Sequence, residues 1–284
     1  VIGQWSVDQI HQHDFTTPLF LWSGFAGPHD PYDVTESALN RYDSIEMPDP
    51  IGFPNELDTK PPPQKKAMDG MAGKETPTAI GWSQATPERI RRMRKHYYAN
   101  ITPIDDWVGR IVTMVEEKGQ LDNTLFVFTS DHGDCLGDHH QIYKFLSHYD
   151  SVGRVLLVVC APGVERLGER DQLVELIDIG PTLLDLAGLA PLEGANGVSL
   201  RPILEGNQNE LHDNVFSEYG PRIIARTRTW KLIFYPRQPY GELYHLADDP
   251  DELFNLHDHP DHGIAQINMV ERMMHGYANT RMRR

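Results

Sequence analysis

The stretch Thr124-Leu125-Phe126-Val127-Phe128-Thr129-Ser130-Asp131-His132-Gly133-Asp134 constrains the fold more than any other part of the chain. Its first six residues are mostly apolar, β-branched or aromatic, and read as a buried strand. The run stops at Ser130-Asp131-His132-Gly133, where glycine permits a tight turn. Ligands in open α/β sheets sit at the carboxyl ends of strands. Asp131 would supply a hard oxygen there and His132 a borderline nitrogen, a pairing suited to a divalent metal. Two ligands do not complete such a site, so others must come from elsewhere. The alternative is a strand-end turn carrying a surface Asp and His.

Beyond it the chain reads Asp134-Cys135-Leu136-Gly137-Asp138-His139-His140-Gln141-Ile142-Tyr143-Lys144. A strand end, a polar glycine-containing loop and a lysine can gather a metal and a cation around one anion. This stretch resembles the sulfatases of the alkaline phosphatase superfamily, whose signature here is Ser-Asp-His-Gly, a Leu-Gly pair and then Lys. Further features of that family follow in order along nearly the whole chain.

The chain has 284 residues, 39% hydrophobic and 24% charged, enough for a sizeable core. No run approaches the ~20 apolar residues of a membrane span. With 26 basic and 41 acidic residues the net charge is −15, which argues against nucleic acid as a partner. An anionic substrate is still compatible, because a local metal and a few cations override the global field. Two cysteines, Cys135 and Cys160, do not make a disulfide scaffold. The chain opens on Val1 with a polar segment rather than a signal peptide, so it is expected to be part of a longer protein or a processed product.

Residues 1–13 carry Trp5, Val7 and Ile10 in a weak helical pattern. Pro18-Leu19-Phe20-Leu21-Trp22-Ser23-Gly24-Phe25 reads as a buried strand. It runs into Pro28-His29-Asp30-Pro31, where two prolines hold a loop extended around His29. The resemblance assigns His29 to the sulfate group; without it, His29 is an exposed loop histidine. Residues 33–86 are rich in Pro, Gly, Asp and Lys and are expected to be a long irregular excursion. Thr86-Pro87-Glu88 starts a helix. Its apolar stripe is Ile90, Met93, Tyr97, Ile101, Ile104, Val108, Ile111 and Val115, with a break allowed at Pro103 and a stop at Gly119. The basic residues Arg89, Arg91, Arg92, Arg94 and Lys95 read as a solvated face, and Asp105-Asp106 as structural.

Val155 to Cys160 reads as another buried strand. Cys160-Ala161-Pro162-Gly163-Val164 nearly fits the sulfatase nucleophile motif Cys-x-Pro-x-Arg but ends in Val164, so Cys160 is taken as non-catalytic. Leu176 to Gly188 is an apolar-faced helix resembling the family's Asp-x-x-Pro-Thr-Leu-Leu-Asp-Leu-Ala-Gly, a packing element. From about 212 short alternating runs predict an antiparallel sheet: Val215–Tyr219, Arg222–Arg228, Trp230–Tyr235 and Glu242–Leu246. Asp249-Pro250-Asp251-Glu252 and Asn255-Leu256 resemble the sulfatase carboxyl-terminal pattern, with His245 where Asp is commoner, and a helix closes the chain from about 262.

Sulfate-ester cleavage needs an in-line nucleophile, fixed positive charge on the equatorial oxygens and an acid for the leaving oxygen. By resemblance Lys144 is a point cation on the sulfate and His29 a hydrogen-bond or proton donor to it. Asp131 and His132 hold a divalent metal, in this family usually calcium. Two family parts are missing: the Cys/Ser-x-Pro-x-Arg motif whose Cys or Ser becomes the formylglycine nucleophile, and the Asp-Asp pair that completes the metal shell. Both lie upstream of the Pro-His loop in the family.

The expected fold is α/β. A mostly parallel sheet flanked by helices, alkaline phosphatase-like with its amino-terminal part missing, occupies 1–210. A small antiparallel subdomain with a helix occupies 211–284. The resemblance implies a sulfatase acting on a sulfated small molecule or glycan, with this chain carrying about half the active site and no turnover alone. Phosphonate and phosphate-diester hydrolases of the superfamily share Asp-His-Gly, Leu-Gly-Asp-His-His and the following Lys, and are the first alternative. A non-catalytic relic or binding module is the second. A periplasmic, secreted or cytoplasmic place is compatible with the resemblance, and the oligomeric state stays open.

Overall fold

The computed structural model describes residues 1–71, 85–144, 148–165 and 168–282. In chain order the elements are α1 (Ile2–Gln12), α2 (Glu36–Asn40), α3 (Pro62–Met71), α4 (Pro87–Glu117), β1 (Phe126–Thr129), α5 (Asp150–Gly153), β2 (Leu157–Cys160), α6 (Ile179–Leu186), α7 (Arg201–Leu204), β3 (Val215–Tyr219), β4 (Arg222–Arg226), β5 (Trp230–Phe234), β6 (Glu242–His245) and α8 (Gly263–Met282). By proximity they form two compact units. One holds residues 1–50, 68–124 and 136–143; the other holds 51–67, 125–135 and 144–284. This grouping leaves the 1–210 and 211–284 domains as a separate proposal.

The first unit is built on α4. Thr86 caps it by accepting from Arg89 N–H, with Pro87 in the first turn. The helix runs through Pro103 without a break. One lost backbone hydrogen bond is outweighed by packing on both sides. Gly3 of α1 lies so close to Trp107 that a Cβ would stand 2.2 Å from the ring. Tyr42, just after α2, shares a 2.9 Å hydrogen bond with Thr102, and Arg41 pairs with Asp106 at 3.2 Å. The buried line is Ile90, Met93, Arg94, Ala99, Thr102 and Val115, whereas Ile101 is exposed. The stripe therefore departs from the expected one in its middle, where the small Ala99 and hydrogen-bonded Thr102 face inward.

The expected buried strand at 18–25 is irregular and lies in no sheet among the described residues, and Phe20 and Trp22 are exposed. Residues 33–86 contain α2, a 3₁₀ turn at Glu56–Thr59 and α3 within the expected irregular stretch; 72–84 of that reading lie outside the described residues.

In the second unit, β1 and β2 pair antiparallel, Phe126 opposite Cys160 and Thr129 opposite Leu157. The expected parallel sheet is not found among the described residues, where every strand pair is antiparallel. The segment from Ser130 to Leu156 returns the chain beside β1 instead of crossing over. Strands β3 to β6 form an antiparallel meander in sequential order, as the alternation predicts. One face packs Ala225, Leu232 and Leu243 on Met269 and Met273 of α8. The other packs Ile224, Ile233, Tyr235, Tyr244 and Leu246 with Tyr149.

A buried polar network runs along that second face. Lys60 Nζ donates to Tyr244 OH (3.0 Å) and to the carbonyls of Glu252 (2.8 Å) and Leu253 (3.0 Å), and lies 3.3 Å from Glu56. Burial lowers its pKa despite the carboxylates around it. Glu242 accepts from Gln64, Tyr235 and Tyr244. Glu252, the acid of the Asp-Pro-x-Glu motif, pairs with Lys231 at 2.6 Å and accepts from Asp150 N–H at 2.5 Å. Lys231 and Arg226 both bind the Asp150 carboxylate. Together these contacts fix residues 149–152, on which the strand-end loop rests.

Candidate active site

Asp131 and His132 sit just past the carboxyl end of β1. Their conformation follows from local hydrogen bonds. His132 N–H donates to Asp131 Oδ1 at 3.0 Å, and Ser130 Oγ donates to the His132 carbonyl at 3.0 Å. His132 Nδ1 lies 2.8 Å from the Gly133 carbonyl. A carbonyl only accepts, so Nδ1 carries the proton, and in the neutral ring Nε2 keeps a lone pair. Nε2 is 3.5 Å from Asp131 Oδ2. Two electron-pair donors thus converge on one exposed spot.

Gly133 ties this turn to the anchored segment. Its N–H donates to the Val152 carbonyl at 2.8 Å, and a Cβ there would stand 2.1 Å from the Ser151 carbonyl oxygen. Only glycine allows that approach. The network around Lys231 and Glu252 therefore holds 149–152, which holds Gly133, which sets Asp131 and His132.

The donor types fit a divalent cation, one carboxylate oxygen and one imidazole nitrogen. They supply two protein ligands, well short of the six to eight oxygens calcium typically takes. Completing the shell requires groups beyond these two side chains.

Lys144 is half-buried and belongs to the same unit as Asp131 and His132. His29 belongs to the other unit. Its side chain is exposed, and its Nδ1 donates to the Asp30 carbonyl at 2.7 Å and lies 3.1 Å from the Asp30 carboxylate. The turn around it is closed by His29 N–H to the Ala26 carbonyl at 3.2 Å. Of the four expected site residues, Asp131 and His132 lie side by side, with 3.5 Å between His132 Nε2 and Asp131 Oδ2.

The Leu136-Gly137-Asp138-His139-His140 turn is bound by a residue that sequence reading placed elsewhere. Arg94 is buried, not part of a solvated face. It donates to the carbonyls of Leu136 (3.0 Å), Pro48 (3.1 Å) and Asp49 (3.4 Å) and pairs with the Asp138 carboxylate. Leu136, His139, His140 and Tyr143 all have positive φ, a conformation that non-glycine residues adopt at a cost. Arg94 and the rings of Tyr32 and Tyr143, stacked 6.2 Å apart, hold them in it. The readable signal was position: Arg94 falls beside Ile90 and Met93 on the buried stripe. Arg91 and Lys95 do behave as surface residues, paired with Asp49 and Asp43.

One cluster escaped sequence reading. Glu175, Asp178 and His212 bring ligand-type atoms within 4.8 Å of one another. Their lone pairs are largely spent. Asp178 accepts from Glu175 N–H, Val198 N–H and His212 Nε2, each at 2.9 Å, and Glu175 accepts from Phe216 N–H at 2.6 Å. Burial raises the Glu175 pKa. With His212 donating its Nε2 proton to Asp178, the cluster acts as a clasp between the start of α6, the Val198 segment and β3. Cys160 is exposed at the end of β2 and Cys135 is buried, and neither is in a disulfide.

Comparison with known proteins supplies the class. The sulfatase family model matches residues 4–189, and the model for the carboxyl-terminal part of N-sulphoglucosamine sulphohydrolase matches 137–279. This chain belongs to the sulfatase family. It is 29% identical over 261 residues to an arylsulfatase of Clostridium perfringens, covering 88% of this chain and 52% of that protein. It is 30% identical over 260 residues to a choline-sulfatase of Rhizobium meliloti, covering 89% of this chain and 49% of that protein. The chain therefore spans about half the length of these curated relatives. Among solved structures, a phosphonate monoester hydrolase of Agrobacterium radiobacter superposes with TM-score 0.84 at 25% identity, over 98% of this chain and 60% of that one. The fold is thus of the sulfatase, alkaline phosphatase-like type.

Proposed function

We propose that this chain carries about half the active site of a metal-dependent sulfatase that hydrolyses the sulfate esters of a small molecule or glycan. The observation that carries this is the convergence of Asp131 Oδ2 and His132 Nε2 at the end of β1, with the histidine proton fixed on Nδ1. These two groups hold the metal, with calcium the expected ion. A divalent metal, when bound, offsets charge on the sulfate oxygens and favours the ionised nucleophile. Lys144 contributes a point cation to the sulfate. His29 donates a hydrogen bond to the sulfate or a proton to the leaving oxygen. The formylglycine nucleophile and the remaining metal ligands come from outside this sequence, so the chain alone does not turn over.

A second reading has a specific observation behind it. The Leu136–His140 turn is common to the phosphonate hydrolases, and two solved phosphonate monoester hydrolases match at 25% and 26% identity. A non-catalytic binding module is the third. The test is to assay this chain joined to the nucleophile-bearing portion of the relatives on an aryl sulfate and an aryl phosphodiester. Faster turnover of the sulfate, lost in Lys144→Ala and His29→Ala, is expected. Preference for the diester would favour the second reading, and no turnover of either the third.

A further inference from the structure

Tyr32 directly follows the Pro28-His29-Asp30-Pro31 loop. Its ring is half-buried against a cluster from two other parts of the first unit: Met93 and Tyr97 of α4, and Leu136, Ile142 and Tyr143 of the turn after β1. The Tyr143 ring stacks on it with centroids 6.2 Å apart and planes at 28°. Tyr97 meets it edge-on at 5.8 Å and 73°. Aromatic pairs in these arrangements attract beyond the area they bury.

The loop backbone is fixed to the same helix. His96 Nδ1 donates to the Tyr32 carbonyl at 3.3 Å. Gly27 lies so close to Asn100 that a Cβ would stand 2.7 Å from its Oδ1. Met93, His96, Tyr97 and Asn100 recur at three- and four-residue spacing, so one face of α4 makes these contacts. Arg94 of the same helix holds the Leu136 carbonyl and the Asp138 carboxylate. The His29 loop and the turn ending at Tyr143 are therefore registered on one helix, and the Tyr32 ring joins them. His29 itself is exposed, so packing does little to fix its ring. Its place is set by the backbone that carries it, and a group on a loop is only as precise as the packing that supports the loop.

We propose that Tyr32 is a positioning residue for His29. Its ring, held by Tyr97 and Tyr143, fixes the Pro28–Pro31 loop in the register from which His29 acts on the sulfate or the leaving oxygen. The assignment rests on the role given to His29 in the sulfatase reading. Misplacing a reacting group by about 1 Å costs on the order of 100-fold in rate, so loosening this anchor reaches the chemistry without touching substrate.

Amide exchange on this chain tests the coupling without activity. Tyr32→Leu should speed exchange at His29, and across the stack at Gly137 and Gln141, by at least about 10-fold, with β4 and β5 amides unchanged. These three N–H groups are bonded to the carbonyls of Ala26, Gln141 and Asp138. Tyr32→Phe keeps the ring and should exchange like the wild type. Tyr97→Leu removes only the edge contact; it should act in the same direction, and it serves if Tyr32→Leu does not fold. Kinetics of this chain joined to the nucleophile-bearing portion of the relatives test the consequence. Tyr32→Leu should lower kcat on aryl sulfates about 10- to 100-fold, with the same contrast between phenyl sulfate and para-nitrophenyl sulfate as His29→Ala, and Tyr32→Phe should recover it. In the His29→Ala background Tyr32→Leu should cost no more than about 2-fold, because nothing is left to position. Unchanged exchange at His29 and Gly137, or an equal loss with and without His29, would overturn the proposal. An inactive joined protein, or a fully active His29→Ala variant, would instead overturn the role of His29, and the exchange result would still decide whether Tyr32 holds the loop.

Discussion

His148 is buried with two cations facing it, Arg222 and Lys231, and its ring lies edge-on to Tyr219 at 5.8 Å. Its Nε2 makes no hydrogen bond among the described residues. Burial first, then the two cations, lower its pKa from 6.5 to about 3. The folded protein thus keeps this ring neutral while the unfolded chain protonates it at about 6.5. Because the unfolded state binds more protons between these values, stability from this group is complete above about pH 6.5 and falls as pH drops toward about 3. At pH 5 the loss is about 1.5 pH units times 1.36 kcal/mol, or about 2 kcal/mol. Urea unfolding of the wild type and His148→Leu at pH 7.5 and pH 5.0 isolates this contribution, because other groups cancel in the double difference. The wild type should lose about 2 kcal/mol more than the variant, and the His148 ring should stay neutral by NMR at pH 5. Equal losses in both proteins, or a ring titrating near its ordinary value, would refute the reasoning.

Other consequences follow from the same geometry. Gly133→Ala places a Cβ 2.1 Å from a backbone oxygen; it should cost at least about 2 kcal/mol in urea unfolding and shift the Asp131 and His132 resonances. Arg94→Met removes the ion pair to the buried Asp138 carboxylate and should cost about 3–5 kcal/mol; a loss below about 1 kcal/mol would contradict the role given to Arg94. The Asp150 carboxyl, which burial alone would push up, is held low by Lys231 and Arg226. Its contribution is present above the ordinary carboxylate range and lost as pH falls through its lower folded value, so Asp150→Asn should flatten the acid limb of stability below about pH 4.

What could be read from the sequence was whatever is settled locally. Thr86-Pro87 marks the start of α4 because capping needs only neighbours in the chain. The short apolar runs and the turns between them give β3 to β6, because hairpin pairing of successive strands is local in the chain. The Asp249–Glu252 motif was legible as family texture, but not its reason, which is that Glu252 neutralises a buried Lys231 distant in sequence. His245 replaces the commoner Asp and still binds Asp248 at 2.7 Å while lying against Trp230. Arg94 was misread because charge outweighed position in the reading, although its helical register put it inward. Segment 18–25 has the composition of a buried strand, but burial and ladder pairing depend on neighbours that local sequence does not supply. The Glu175–Asp178–His212 clasp joins residues from separate segments, and no spacing rule announces it.

The most direct test of the site is a calcium titration of this chain followed by NMR of its histidine rings. Two protein ligands at the end of β1 predict binding on the order of millimolar, typical of incomplete or exposed calcium sites, with His132 shifting and His212 unchanged. Micromolar affinity, or a response at His212 rather than His132, would contradict the account.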